Sequence, residues 1–197
     1  RAVTAIGTAQ GIVKRISDDV PAGKDIWEVI SLKPSDHVVA ATECTDSDHL
    51  VFITSDAQLL HFPAHAVRPQ GRSAGGMAGI RIATDAQVVF FGAVAPTATN
   101  VVATVAGSLG QLSGTGASTI KLTDLAAFPP KGRATGGVRC HRLVKGEDAI
   151  LLAWAGQAPA RGETAAGKPI ELPTDLKPRD ASGDRIMTTI AAIGGSR

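Results

Sequence analysis

Two stretches of this chain place a guanidinium at the head of a glycine run. One is Gln70-Gly71-Arg72-Ser73-Ala74-Gly75-Gly76-Met77-Ala78-Gly79-Ile80-Arg81-Ile82. The other, Gly132-Arg133-Ala134-Thr135-Gly136-Gly137-Val138-Arg139-Cys140-His141-Arg142-Leu143, matches it 61 residues further on without a gap. Weaker copies are Pro178-Arg179-Asp180-Ala181-Ser182-Gly183-Asp184-Arg185-Ile186 and Ala22-Gly23-Lys24-Asp25-Ile26-Trp27-Glu28-Val29-Ile30. Glycine lets the backbone take positive φ and approach another surface closely. A cation at the lip of such a loop, beside free backbone N–H groups, can hold an anion. One copy alone reads as a tight turn with a solvated arginine. Four copies imply four copies of one structural unit, with anion sites at regular spacing. Sites spaced along a curved edge suit a bent polyphosphate, bound through its backbone and deformability rather than its sequence.

Other candidate chemistry is poorly supported. Gly162-Glu163-Thr164-Ala165-Ala166-Gly167-Lys168-Pro169 fits a phosphate-binding loop until its last position, where proline replaces the hydroxyl that would hold magnesium. No hydrophobic strand immediately precedes Gly162. His61 and His65 have the spacing of a metal pair on a helix, but Pro63 lies between them, so they read as loop histidines. His37, His49 and His141 have no motif partners, and no Gly-x-Ser-x-Gly elbow occurs. No catalytic and no metal residues are assigned. Trp27 and Trp154 read as core or packing residues. With 4% aromatics and no tyrosine, single-strand recognition by stacking is disfavoured.

The elements that must position the loops are strands. At 197 residues and 44% hydrophobic content the chain can bury a sizeable core. Its apolar runs are far shorter than the roughly 20 residues of a spanning helix. It opens at Arg1 without a signal-peptide pattern, which suggests a piece of a longer protein. Two cysteines, Cys44 and Cys140, make no disulfide framework and point to a reducing compartment. A net charge of +2 is a weak global sign of nucleic acid, so placement of cations matters more than their sum.

Strands of about five residues between turn signals recur throughout. Ala2 to Ile6 and Gly11 to Ile16 form a hairpin, followed by Trp27 to Leu32 and Val38 to Ala41. Leu50 to Thr54, Leu59 to Phe62, Ile80 to Ile82 and Val88 to Phe91 make the clearest unit, with Pro63 ending its second strand. Val101 to Val105 and Ile120 to Leu122 repeat the order around an insertion at Ser113 to Ser118. The last unit begins at Ala149 to Trp154, returns at Ile170 to Leu172 and ends with Ile186 to Ile193. No stretch has sustained helical periodicity. The reading is one all-β repeat domain: a propeller-like disc, small or open, of about four four-stranded blades near residues 1–48, 49–98, 99–148 and 149–197.

Residues Val51 to Thr54, Gln58 to Phe62, Gln70-Gly71-Arg72, Gly75-Gly76 and Gly79-Ile80-Arg81-Ile82 resemble the C-terminal domain of the A subunit of bacterial type IIA topoisomerases, gyrase and topoisomerase IV. Gly11-Ile12-Val13-Lys14-Arg15 resembles that family's Gly-aromatic-Val-Lys-Arg strand, with Ile12 in place of the aromatic. The resemblance weakens outward from the second unit. It implies a β-pinwheel whose blades exchange strands and which binds and bends duplex DNA leading away from the cleavage core. The first loop lacks the family motif, and Ser73 and Ala74 replace a glycine and a cation. Eroded loops and few blades resemble topoisomerase IV more than gyrase, and fit bending or guiding better than full chiral wrapping.

The cations expected at DNA phosphates are Lys14, Arg15, Lys24, Arg68, Arg72, Arg81, Lys121, Lys131, Arg133, Arg139, Arg142, Lys177 and Arg179, with Arg72 and Arg133 foremost. Asp25, Asp180 and Asp184 should weaken the first and last loops. The family's DNA-cutting tyrosine cannot lie here, because the chain has none. The resemblance thus implies a non-catalytic, cytoplasmic, nucleoid-associated domain without a cofactor. Its parent would use ATP and magnesium, and would join the DNA-cutting polypeptide to a separate ATPase polypeptide in a heterotetramer. The competing reading is a propeller that docks proteins and ignores DNA.

Overall fold

The computed structural model describes residues 1–18, 21–110 and 118–195. Val20 of the first loop, and the expected insertion as far as Ala117, lie outside the described residues. In chain order the strands are β1 (Val3–Thr8), β2 (Ile12–Ile16), β3 (Val38–Cys44), β4 (His49–Thr54), β5 (Gln58–Pro63), β6 (Pro69–Gln70), β7 (Met77–Ala78) and β8 (Val88–Val94). They continue as β9 (Asn100–Gly107), β10 (Thr119–Asp124), β11 (Val138–Arg139), β12 (Ala149–Gln157), β13 (Arg161–Glu163), β14 (Pro169–Ile170), β15 (Asp184–Arg185) and β16 (Ala192–Gly194). Among the described residues the only helical segments are single 3₁₀ turns at Ala64–Ala66 and Leu125–Ala127, in matching places of the second and third units. No helix there is long and apolar enough to cross a membrane.

The strands form four sheets, as the all-β pinwheel reading requires. The first runs β3-β1-β2-β6, with β7 also on β2; the second β8-β4-β5-β11; the third β12-β9-β10-β15; the fourth β16-β13-β14. Strand exchange is the rule. β6 and β7 follow the second unit's hairpin yet complete the first sheet, β11 leaves the third unit for the second sheet, and β15 leaves the fourth for the third. Of the donated strands, β7, β11 and β15 each lie just beyond a cation–glycine loop, and β6 lies just before one. The inner strands touch in series, β3 on β8, β8 on β12 and β12 on β16, so the exchanged strands lie toward the rim. Each of the first three sheets shifts register at the same point of its inner pair: between Gly7 and Thr8, Ile53 and Thr54, and Ile150 and Leu152. Such bulges increase local twist, and their repetition gives the blades one shape.

Strand alternation divides the core into layers between sheets, because successive side chains point to opposite faces. Leu50, Phe52 and Leu60 face the first sheet, among Ala5, Val13 and Phe91. Their neighbours Val51, Ile53 and Leu59 face the third, among Val102, Ile150 and Phe128. Ala103, Val105, Ile120 and Leu122 meet the fourth unit through Ile190. Both faces of the middle blades are therefore buried, which explains their unbroken apolar runs.

Three expectations need correction. Ala149–Gln157 does not open the fourth unit; it is the inner strand of the third sheet, beside β9. The blade boundary at 148/149 therefore falls too early, because the long excursion to the rim separates a blade's inner strand from its hairpin. Trp27 to Leu32 and Ile80 to Ile82 are not strands. They are connections that leave the rim and run inward.

The exchange needs glycine where the loop meets the receiving strand. Gly76 and Gly137 take φ of +82° and +74°. A Cβ at Gly137 would lie 2.4 Å from the Leu59 carbonyl oxygen, and one at Gly76 2.7 Å from that of Val13. Gly137→Val should destabilise the fold by about 3 kcal/mol, read as a lower urea midpoint with an unchanged slope. Gly167→Val, at φ +76° but with open space around it, should cost less, because the backbone strain remains and the clash does not.

Candidate nucleic-acid interface

The loops are held by buried lysines. Lys14 on β2 is fully buried. Its Nζ donates to the carbonyl oxygens of Gly71, Arg72 and Ala74 at 2.7, 2.8 and 2.9 Å, and to Val29 at 2.6 Å. Lys121 occupies the same register on β10 and donates to the carbonyls of Pro178, at 2.9 Å, and Arg179. Burial pushes the Lys121 ammonium down to about 8; burial lowers Lys14 as well, opposed by Glu28. The second sheet has Leu60 at this position. There the Thr135 hydroxyl donates to the Gly132 carbonyl at 2.7 Å. The lysine-clamped loops carry alanine in place of that threonine, at Ala74 and Ala181. Lysine with alanine, or leucine with threonine, satisfies the carbonyl at the position shared by Gly71, Gly132 and Pro178.

The loops also hold one another. Arg133 donates from Nη1 to the Ala78 carbonyl at 2.8 Å, and Arg179 does the same to Arg139 at 3.2 Å. The Ala134 amide donates to Gly79, the Arg81 amide to Thr135, and the Arg142 amide to Ala181. Three stretches remote in sequence thus lie edge to edge along one rim.

These contacts sort the expected cations. Lys14, Arg15 and Lys121 are not available to phosphate, which corrects their assignment. All three are buried. Arg15 donates to the carbonyls of Ala64 and Val67 at 2.9 and 3.1 Å and to the Asp46 carboxylate at 2.6 Å. Arg72, Arg133 and Arg179 are half-buried in the loops, and Arg133 and Arg179 spend donors on backbone. Lys177 is paired with Asp184 at 2.6 Å. Lys24, Arg68, Arg81, Lys131, Arg139 and Arg142 are exposed. Arg185 is exposed too and was not among the expected residues. It holds on β15 the place Arg139 holds on β11, opposite Thr119 and Gln58 respectively. The spacing from Arg133 to Arg179, applied to Arg139, would have found it.

The histidines are more structured than their sequence context indicates. His61 is a buried strand residue, not a loop residue; its Nε2 donates to the Phe128 carbonyl at 2.8 Å and its Nδ1 lies 2.9 Å from Nδ1 of His49. His65 stays exposed. His141 is buried, with Nδ1 2.9 Å from the Thr104 hydroxyl and Nε2 3.1 Å from that of Thr119, whose own proton goes to Glu147. No group of three metal-ligating side chains occurs among the described residues. Residues 161–170, which mimic a phosphate loop, form the β13–β14 hairpin. Trp27 is exposed at the rim rather than packed in the core.

A family model described as "DNA gyrase C-terminal domain, beta-propeller" matches residues 48–95 and 113–151. The chain is 31% identical over 146 residues to "Topoisomerase subunit TopoM" of Mycolicibacterium smegmatis, a match spanning 74% of this chain and 18% of that protein. Among solved structures it resembles the C-terminal domain of DNA topoisomerase IV, with a TM-score of 0.80 at 16% identity, covering 98% of this chain and 61% of that one. A DNA gyrase A C-terminal domain gives 0.73 at 17% identity, with 98% and 64% covered. At such identities the structural matches establish the fold alone.

Two outcomes follow from the site's geometry. Lys14→Leu should cost about 3 kcal/mol by stranding buried carbonyls, and adding Ala74→Thr should recover about 1 kcal/mol, measured by urea denaturation of the two variants. The second concerns His141, which burial pushes from 6.5 down to about 4. Between those values the unfolded chain binds the extra proton, so stability should fall as pH drops from 6.5 toward 4. His141→Gln should flatten that part of a pH series of unfolding midpoints.

Proposed function

Because the chain belongs to the family of DNA gyrase A C-terminal domains, we propose that its rim holds duplex DNA by the phosphate backbone, without reading sequence, and bends it. The observation that carries this reading is the joining of the loops. Arg133 bonded to Ala78 and Arg179 bonded to Arg139 set the exposed cations Arg81, Arg139, Arg142 and Arg185 along one continuous edge. Each phosphate neutralised releases counterions, so affinity falls steeply with salt. A row of cations that touches only phosphates favours deformable duplex over any particular sequence.

The domain serves a larger DNA-cutting polypeptide. It has no strand-passing chemistry of its own, since it has no tyrosine. The parent is a cytoplasmic, nucleoid-associated type II topoisomerase that uses ATP and magnesium together with a separate ATPase polypeptide; this domain needs neither cofactor. The degenerate first loops favour guiding or bending of the transferred segment, as in a topoisomerase IV-like enzyme, over gyrase-like wrapping.

Plasmid retardation by the chain across a salt series tests the reading. An Arg81→Glu/Arg139→Glu/Arg142→Glu variant should fold normally and lose about three units of salt slope. Unchanged binding in the variant, or no plasmid binding by the unaltered chain, would leave protein docking as the better account. Ligating nicked plasmid on the domain should give little linking-number change; a large change would replace bending by wrapping.

A further inference from the structure

The hydrogen bonds between successive loops align the four units residue by residue. The Ser31 amide donates to Ala74 as Arg81 donates to Thr135 and Arg142 to Ala181. Ser31, Arg81 and Arg142 are therefore equivalent. Counting back five residues in each places Ile26 where the later loops have Gly76 and Gly137, and Trp27 where they have Met77 and Val138.

This substitution changes what the loop can do. Gly76 and Gly137 press against the second strand of the preceding sheet, where no Cβ fits. A β-branched isoleucine cannot dock that way. Ile26 stands 89% exposed and Trp27 38% exposed, on a segment tied to the rim through Val29 and Ser31. Beside them lies an open cleft of about 560 Å³ lined by Lys24, Trp27, Glu28, Gly71, Arg72, Ser73 and Ala74. Glu28 stands where the next loops carry Ala78 and Arg139, and Asp25 precedes Ile26. Those two carboxylates weaken phosphate attraction at this step. Apolar surface is what remains, in line with the basic edge and flanked by Lys24 and Arg72.

We propose that Ile26 and Trp27 form a wedge that enters a base step of duplex DNA held on the rim, and so fixes where the duplex kinks. The inference rests on the DNA reading above. Apolar side chains of this kind unstack a step and bend the duplex toward its major groove. An indole also stacks on any base, because every base has a π face. The wedge would therefore select for easily opened steps rather than for a sequence.

The test compares two 30-base-pair duplexes that differ by one central mismatch, which lowers the unstacking cost. The chain should bind the mismatched duplex about tenfold tighter. In an Ile26→Ala/Trp27→Ala variant that preference should vanish, while affinity for the matched duplex stays within about threefold. Ile26 is 89% exposed but Trp27 only 38%, so the variant should still unfold cooperatively, at a slightly lower urea concentration. In a Trp154→Phe background, Trp27 emission should be quenched by the mismatched duplex. Equal binding of both duplexes by the unaltered chain would overturn the wedge and leave backbone binding intact. A preference that survives in the variant would overturn it too, as would equal loss of affinity for both duplexes. No binding of either duplex would overturn the DNA reading and the wedge together.

Discussion

A strand that leaves its own unit to finish another unit's sheet must carry its loop's carbonyl groups into a dry place. Buried acceptors without donors cost about 1–3 kcal/mol each, so the exchange depends on what meets them. In the first and third sheets a buried ammonium does so: Lys14 serves four carbonyls and Lys121 two. In the second sheet the Thr135 hydroxyl takes part of that task and Leu60 fills the space. The rest of the pinwheel follows from this satisfaction of loop backbone. It fixes each loop against the preceding sheet, and each fixed loop is a platform for the next.

The same constraint explains why so many cations of the repeat do not face outward. Charge near the centre of each unit is consumed internally: Lys14 and Lys121 by loop carbonyls, Arg15 by Ala64, Val67 and Asp46. Arg133 and Arg179 stand at the boundary, half-buried, joining neighbouring loops while contributing positive charge to the edge. The next layer, Arg81, Arg139, Arg142 and Arg185, is exposed, as are Lys24, Arg68 and Lys131. A rim built this way is preorganised, since its inner cations hold the outer ones in place.

The two ends of the array break the pattern in different ways. Ile170 stands on the fourth unit's second strand where Lys14 and Lys121 stand on theirs, and among the described residues β14 pairs only with β13. In the first unit Ile26 replaces the docking glycine. The middle of the array therefore repeats one solution of backbone, glycine and cation, while its ends carry isoleucine in place of the lysine clamp or of the docking glycine.

Much of this was legible in residue types and spacing. The 61-residue repeat, the short β-branched strands and the glycine frames identify an all-β repeat domain with cation-bearing loops, because glycine geometry and strand alternation leave local marks. The Arg139–Arg185 equivalence was legible as well, through the spacing of the loops. Strand exchange was not readable from the local pattern and entered only through the family resemblance. The excursion to the rim hides the pairing of Ala149–Gln157 with β9, so the local pattern assigns it to the following blade. Nor could the sequence separate buried cations from exposed ones. Lys14 finds its loop partners 57 to 60 residues away. Those partners are backbone carbonyls, which every residue possesses, so no residue type or spacing marks the ones that will converge. Only the folded chain, by bringing a distant loop over a strand, decides which lysine becomes a clamp and which arginine remains exposed.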